Sequence, residues 1–121
     1  MNEKLLANRV LLVGSHHELT LYRAEVLRHA GFRVHTPESK QAALGIIERG
    51  DFDAAALSYT LSNNTVQELA DNIREHCPDR PVVAIAETNR VDRRIAPDAI
   101  ALAADGPHGL VSALEKVLVQ R

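Results

Sequence analysis

Four short polar clusters each follow directly on an apolar run, where a buried strand would end and a reactive side chain could emerge. They are Gly14-Ser15-His16-His17, Ser58-Tyr59-Thr60-Leu61, Ala86-Glu87-Thr88 and Asp105-Gly106-Pro107-His108. The chemistry they offer is thin. Ser58 brings a hydroxyl, a weak nucleophile without a base or metal to activate it, and no G-x-S-x-G elbow surrounds it. His16 or His108 could be drawn beside it as a base, but this reading ranks last. Two imidazoles (His16, His108) with two carboxylates (Glu87, Asp105) would suit a transition metal. No histidine pair has i, i+4 spacing, however, and 6 histidines among 121 residues make chance neighbours common. No metal is therefore expected, with His16 and His108 the candidates should one bind. Neither G-x-G-x-x-G nor G-x-x-x-x-G-K-[ST] occurs, so Gly14 alone does not make a phosphate cradle, and no cofactor is expected.

The elements that must position these clusters are legible. Val10–Val13, Ala54–Leu57, Val82–Ile85 and Ile100–Ala104 are continuously apolar, as suits strands buried on both faces. Phe32–His35 alternates and reads as an edge strand. Between them lie helical patterns. Ser15 and Glu18 form a capping box before a stripe of Leu19, Tyr22, Val26, Leu27 and Ala30. Thr36-Pro37 opens the second helix, which buries Ala42, Ala43, Ile46 and Ile47 and stops at Gly50. Asn64 or Thr65 caps a third with Val66, Leu69, Ala70, Ile73 and Cys77 inward. Val91 and Ile95 allow a short or irregular fourth helix before Pro97, and Pro107 opens the last, with Leu110, Leu114, Val117 and Leu118 on one face. Five strands alternating with helices predict a doubly wound α/β domain, a five-stranded parallel sheet covered on both faces, with residues 1–121 forming one domain. Ligands of such sheets bind beyond the carboxyl ends of the strands, where the four polar clusters fall.

Composition narrows the function classes. With 45% hydrophobic and 25% charged residues the chain is globular, and a net charge of -2 argues against a nucleic-acid binder. Four aromatic residues leave little for base stacking. No apolar run approaches the roughly 18 residues of a membrane span, and Met1-Asn2-Glu3-Lys4 lacks the layout of a secretion signal. Cys77 is the only cysteine, so no internal disulfide forms and a cytoplasmic location is expected; the thiol reads as inert core.

From about Arg9 to Val119 the chain resembles the response-regulator receiver domain of two-component signalling, whose fold is flavodoxin-like with strand order 2-1-3-4-5. The resemblance lies in the strand–helix phasing, in Ala30-Gly31-Phe32-Arg33-Val34, in Asp51-Phe52-Asp53 before the third strand, in Pro81 opening the fourth, and in Pro107, where the family has the proline of a Lys-Pro pair. In that family a carboxylate at the end of the third strand takes a phosphoryl group from histidine. An acidic pair holds Mg²⁺, and a Thr/Ser and a Lys contact the phosphoryl oxygens. Here the acidic pair is matched by Gly14 and Ser15, the phosphoacceptor by Ser58, the Thr/Ser by Ala86, the Lys by Gly106 and the aromatic switch by about Ala103. Phosphoryl transfer needs cations on the equatorial oxygens, and Mg²⁺ needs hard anionic ligands, so the resemblance implies the fold and the signalling lineage without the reaction.

The expected function is that of a degenerate receiver in signal transduction, a phosphorylation-independent protein-interaction module and not an enzyme. A signalling protein is the implied partner. The resemblance also implies a homodimer through the fourth-helix to fifth-helix face and a cis Gly106–Pro107 bond. Arg90, Arg93 and Arg94 on the fourth helix form a candidate docking face for carboxylates; a solvated face paired with Asp92 and Asp98 is the plainer account. The alternatives are a ligand- or nucleotide-binding module using the crevice at the strand ends and, behind it, a conventional phosphoacceptor regulator.

Overall fold

The computed structural model describes residues 8–88, 90–91 and 94–119. The chain runs β1 (Arg9–Val13), α1 (His17–His29), β2 (Arg33–His35), α2 (Lys40–Arg49), β3 (Ala54–Ser58), α3 (Asn63–His76), β4 (Val82–Ala86), β5 (Ala99–Leu102), a 3-10 turn (Ala103–Asp105) and α4 (Gly106–Val119). All strand pairs are parallel, as the sequence pattern predicts, and the order is β2-β1-β3-β4-β5, as the resemblance implies. Side chains alternate through the sheet and build a core on each side. Val10, Leu12, Ala54, Ala56, Val83 and Ile85 meet α1 and α4 through Ala24, Leu27, Leu110 and Leu114. Leu11, Val13, Ala55 and Leu57 meet α2 and α3 through Ala43, Ile47, Leu69 and Ile73. Alanines in β3 let the helices approach closely, and Phe52, fully buried, fills the space beneath α2 and α3.

The helix starts differ from expectation. Ser39, not Thr36, caps α2 by accepting from Ala42 N at 3.0 Å, and Ser62, not Asn64 or Thr65, caps α3 by accepting from Thr65 N at 3.2 Å. Gly50 ends α2 in the left-handed region at φ 68°, where a side chain is strained. In α1 the cap is His16, whose Nδ1 accepts from Leu19 N at 3.3 Å; Ser15 is drawn off to another partner. The inward face of α1 is Thr20, Arg23, Ala24 and Leu27, while Tyr22 is 57% exposed. Two polar residues on the i, i+3, i+4, i+7 positions hid that face from a reading by hydrophobicity.

Between β4 and β5 the described residues form no helix, and Asn89, Asp92 and Arg93 of the expected fourth helix lie outside them. Ile95 is buried in the core beneath α3. The segment is tied to α3 by Gln67 Nε2, which donates to Arg94 O at 3.1 Å, and by Arg74, whose Nη1 and Nη2 donate to Arg94 O and Ala96 O at 3.4 and 3.0 Å. Ala96 sits at φ 44°, a strained value for a residue with a Cβ. Asp98 then pins β5 to β4: Val82 N donates to its carboxylate and its own N–H to Val82 O, both at 2.8 Å. Beyond β5 the chain turns earlier than expected, Ala103 and Ala104 lying in the 3-10 turn. The Gly106–Pro107 bond is trans, not cis as expected, and Gly106 makes the turn into α4 at φ 69°.

Candidate functional site

Ser58 ends β3 and is only 1% exposed. Three donors converge on its oxygen. Arg23 Nη1 reaches it from α1 at 3.2 Å, Thr60 N at 3.2 Å and Thr60 Oγ1 at 3.1 Å. The lone pairs that a nucleophile would use are thus engaged. Thr60 also clamps the loop after β1: Ser15 N donates to Thr60 Oγ1 at 3.0 Å, and Ser15 Oγ donates to Thr60 O. This cross-link is why Ser15 does not cap α1.

Gly14 lies against the same network. A Cβ there would stand 2.8 Å from Thr20 Oγ1 and 3.2 Å from both Ser58 Cβ and Thr60 Oγ1. Thr20 cannot easily give way, being buried, β-branched and held by its hydroxyl's bond to His16 O at 2.9 Å. Ala86 is buried and offers only a methyl group, and Gly106 leaves open space, with nothing within 4 Å of a Cβ. Gly14, Ser15 and Ser58 are therefore brought together by direct contacts, and Ala86 and Gly106 end the neighbouring β4 and open α4 without adding a donor side chain.

Arg23 is the functional residue that sequence reasoning missed. Among the described residues it is the only buried charged side chain. Its Cζ lies 5.8 Å from the centre of the Tyr59 ring, within range of a cation–π contact. The expectation that the pocket held no cation is corrected: α1 supplies one. A polar residue at the fourth position from Leu27 was the available signal.

Asp51 and Asp53 lie at the other end of the sheet, before β3. Arg9, opening β1, takes Asp53 Oδ2 through its N–H at 2.7 Å, and its guanidinium lies 3.9 Å from Asp51. Arg49 Nε donates to Asp51 at 2.9 Å, and chiefly through that bond the Asp51 carboxyl is held below its ordinary value. Among the described residues no group of three His, Cys, Asp or Glu side chains converges. His16 is occupied as a helix cap, and His108 opens α4 beside Asp105 along a groove of about 580 Å³. Glu87, Arg90 and Arg94 are exposed, and Arg93 and Asp92 lie outside the described residues. Asp98 is turned to Val82 N, not to the arginines as the plainer account had it. Cys77 is buried, with Sγ donating to Ile47 O at 3.5 Å. A hollow of about 330 Å³ lies between the loops after β1 and β2, lined by Gly14, Ser15, His17, Thr20, Thr36 and Glu38. No described helix is long and apolar enough to cross a membrane.

No protein-family model matches the chain, and no curated protein matches it in sequence. Solved structures do. The chemotaxis response regulator CheY4 of Vibrio cholerae superposes with a TM-score of 0.80 at 18% identity, covering 93% of this chain and 99% of that one. The Thermotoga maritima response regulator TrrA, solved with Mg²⁺ and beryllofluoride, gives 0.79 at 22% identity, with 92% and 99% covered. The fold is that of a receiver domain. A receiver-like fold is also shared, at TM-score 0.79 and 18% identity, with a streptococcal protein from a group described as redox sensors evolved from two-component response regulators; 94% of this chain and 52% of that one are covered.

Proposed function

We propose that the chain is a degenerate receiver, a signalling module that works through protein contacts and accepts no phosphoryl group. The observation that carries this reading is the closed network at the end of β3. A hydroxyl stands where a carboxylate would act, three donors hold it, and a Cβ at position 14 has no room. Among the described residues no three His, Cys, Asp or Glu side chains gather to hold Mg²⁺, and the developing charge of a transferring phosphoryl group would meet one guanidinium already bonded to Ser58. Fold alone does not fix function. That a streptococcal relative of this fold is described as a redox sensor supports receivers taking other inputs.

The partner is a signalling protein in the cytoplasm, and the face that suits pairing with a second copy is the β5 edge with α4. There Ile100 is exposed beside the groove carrying Asp105, His108 and Lys116. Arg90 and Arg94 add cationic charge on the segment before β5. The test is beryllofluoride with Mg²⁺, read by backbone amide shifts. Unchanged resonances at Ser58–Thr60 are expected; large shifts there would identify a working phosphoacceptor and overturn the reading.

A second reading, a small-ligand module, rests on the 330 Å³ hollow beside Gly14. That volume sits at the lower end of ligand pockets. A thermal-shift screen with nucleotides and divalent metals separates the two.

A further inference from the structure

We infer that the crevice between α3 and the segment before β5 seats one aliphatic side chain from an extended acidic stretch of the partner protein. Its volume is about 110 Å³. Leu61 and Val66 line it from the α3 side, Ala86 from the end of β4, and Val91 and Ile95 from the segment before β5. Small-ligand sites run to roughly 300–1,000 Å³. This hollow falls well short of that, and its mostly aliphatic lining fits a single apolar side chain. Ser58 borders it too, but its oxygen is already engaged by Arg23 and Thr60, so a polar occupant would be buried without a partner there.

The rim sets the charge. Among the described residues lining the crevice, Arg90 alone is charged. It is exposed and enters no ion pair with the described residues. A carboxylate beside the anchoring side chain would meet its guanidinium in a forked, charge-assisted pair. Tyr59 lines the crevice as well, with its ring beside the Arg23 guanidinium. A tyrosine and an arginine around an apolar hollow make up an interface anchor point. Both walls stand before anything binds: Ser62 caps the start of α3, and Gln67 and Arg74 hold the segment carrying Ile95 onto that helix. Little ordering is then left for the binding step. The inference rests on the reading that the chain works through protein contacts. The beryllofluoride experiment is read at Ser58 and needs no peptide, so the two fail separately.

The test adds capped synthetic peptides to the full chain at low ionic strength, where surface charges are least screened, and follows backbone amide shifts. One peptide carries a leucine flanked on each side by two glutamates. In a second, alanine replaces the leucine, and in a third, lysines replace the glutamates. Saturable shifts at Leu61, Val66, Ala86 and Val91 are expected with the first, with a Kd below about 1 mM. The alanine peptide is expected to bind at least about fivefold more weakly, having lost most of an apolar side chain. The lysine peptide is expected not to bind. Arg90→Glu changes an exposed side chain and leaves the core intact; it is expected to reverse the preference, so that the lysine peptide binds and the glutamate peptide does not. No saturable shift with the glutamate peptide, equal binding of the alanine peptide, or an unreversed preference in Arg90→Glu would each overturn the inference. Shifts at the same residues on concentrating the protein alone would make a second copy the occupant and overturn it too.

Discussion

Replacing Gly14 by alanine tests the closed network directly. Gly14 is not among the glycines with positive φ, so the backbone alone would accept alanine and gain about 0.4–1 kcal/mol from a less flexible unfolded chain. The added methyl group, however, would stand 2.8 Å from Thr20 Oγ1 and 3.2 Å from Ser58 Cβ and Thr60 Oγ1. Overpacking of this kind costs about 1–3 kcal/mol. The expected net loss is about 1–2 kcal/mol after the unfolded-state gain is subtracted. At this chain length that lowers the melting midpoint by about 4–8 °C. Thr20→Ala removes the nearest obstacle, so Gly14→Ala is expected to cost less in that background, with a coupling of at least about 0.5 kcal/mol in the double-mutant cycle. Urea and thermal unfolding followed by circular dichroism supply all four corners. A neutral or stabilising Gly14→Ala, or strict additivity with Thr20→Ala, would refute the claim that Thr20, Ser58 and Thr60 leave no room for a Cβ at position 14.

Two further outcomes follow from the packing and the charges. Phe52→Ala empties a fully buried ring site and is expected to cost about 3–5 kcal/mol in urea unfolding. Asp51 has a lowered folded-state pKa, chiefly through its bond from Arg49, so its contribution is present above the unfolded carboxyl value and disappears as pH falls through the folded one. Carboxyl resonances followed through an acid titration should therefore show Asp51 protonating below ordinary aspartates, and Arg49→Gln should raise its midpoint.

Strand placement was readable because short apolar runs with intervening caps admit few topologies, and the sheet order followed from the resemblance to receiver domains. The stop at Gly50 and the inward stripe of α3 were equally plain, each carried by one residue type at one spacing. The face of α1 was not. Thr20 and Arg23 point inward because they have partners in Ser58, His16 and Tyr59, contacts between residues far apart in the chain that periodicity does not register. Ser15 misled for the same reason: its pairing with Thr60 spans 45 residues and outcompetes a local cap. At the site, Gly14, Ser15 and Ser58 were legible as neighbours from the strand ends, while the cation, Arg23, came from a helix whose pattern had been assigned to the wrong side. Nor does any local signal announce the reach of Gln67 and Arg74 to Arg94 and Ala96.

Those three bonds make the stretch before β5 a passenger of α3. Its carbonyls are gripped by side chains of a neighbouring helix instead of by a helical ladder of its own, and Ile95 is driven into the core below. A pull on Arg94 is therefore passed to α3 through these bonds, and onward to β4 through Asp98, which is bonded to Val82. The crossover is thereby a lever with its fulcrum on the helix, and the left-handed backbone at Ala96 is the strain stored at its pivot.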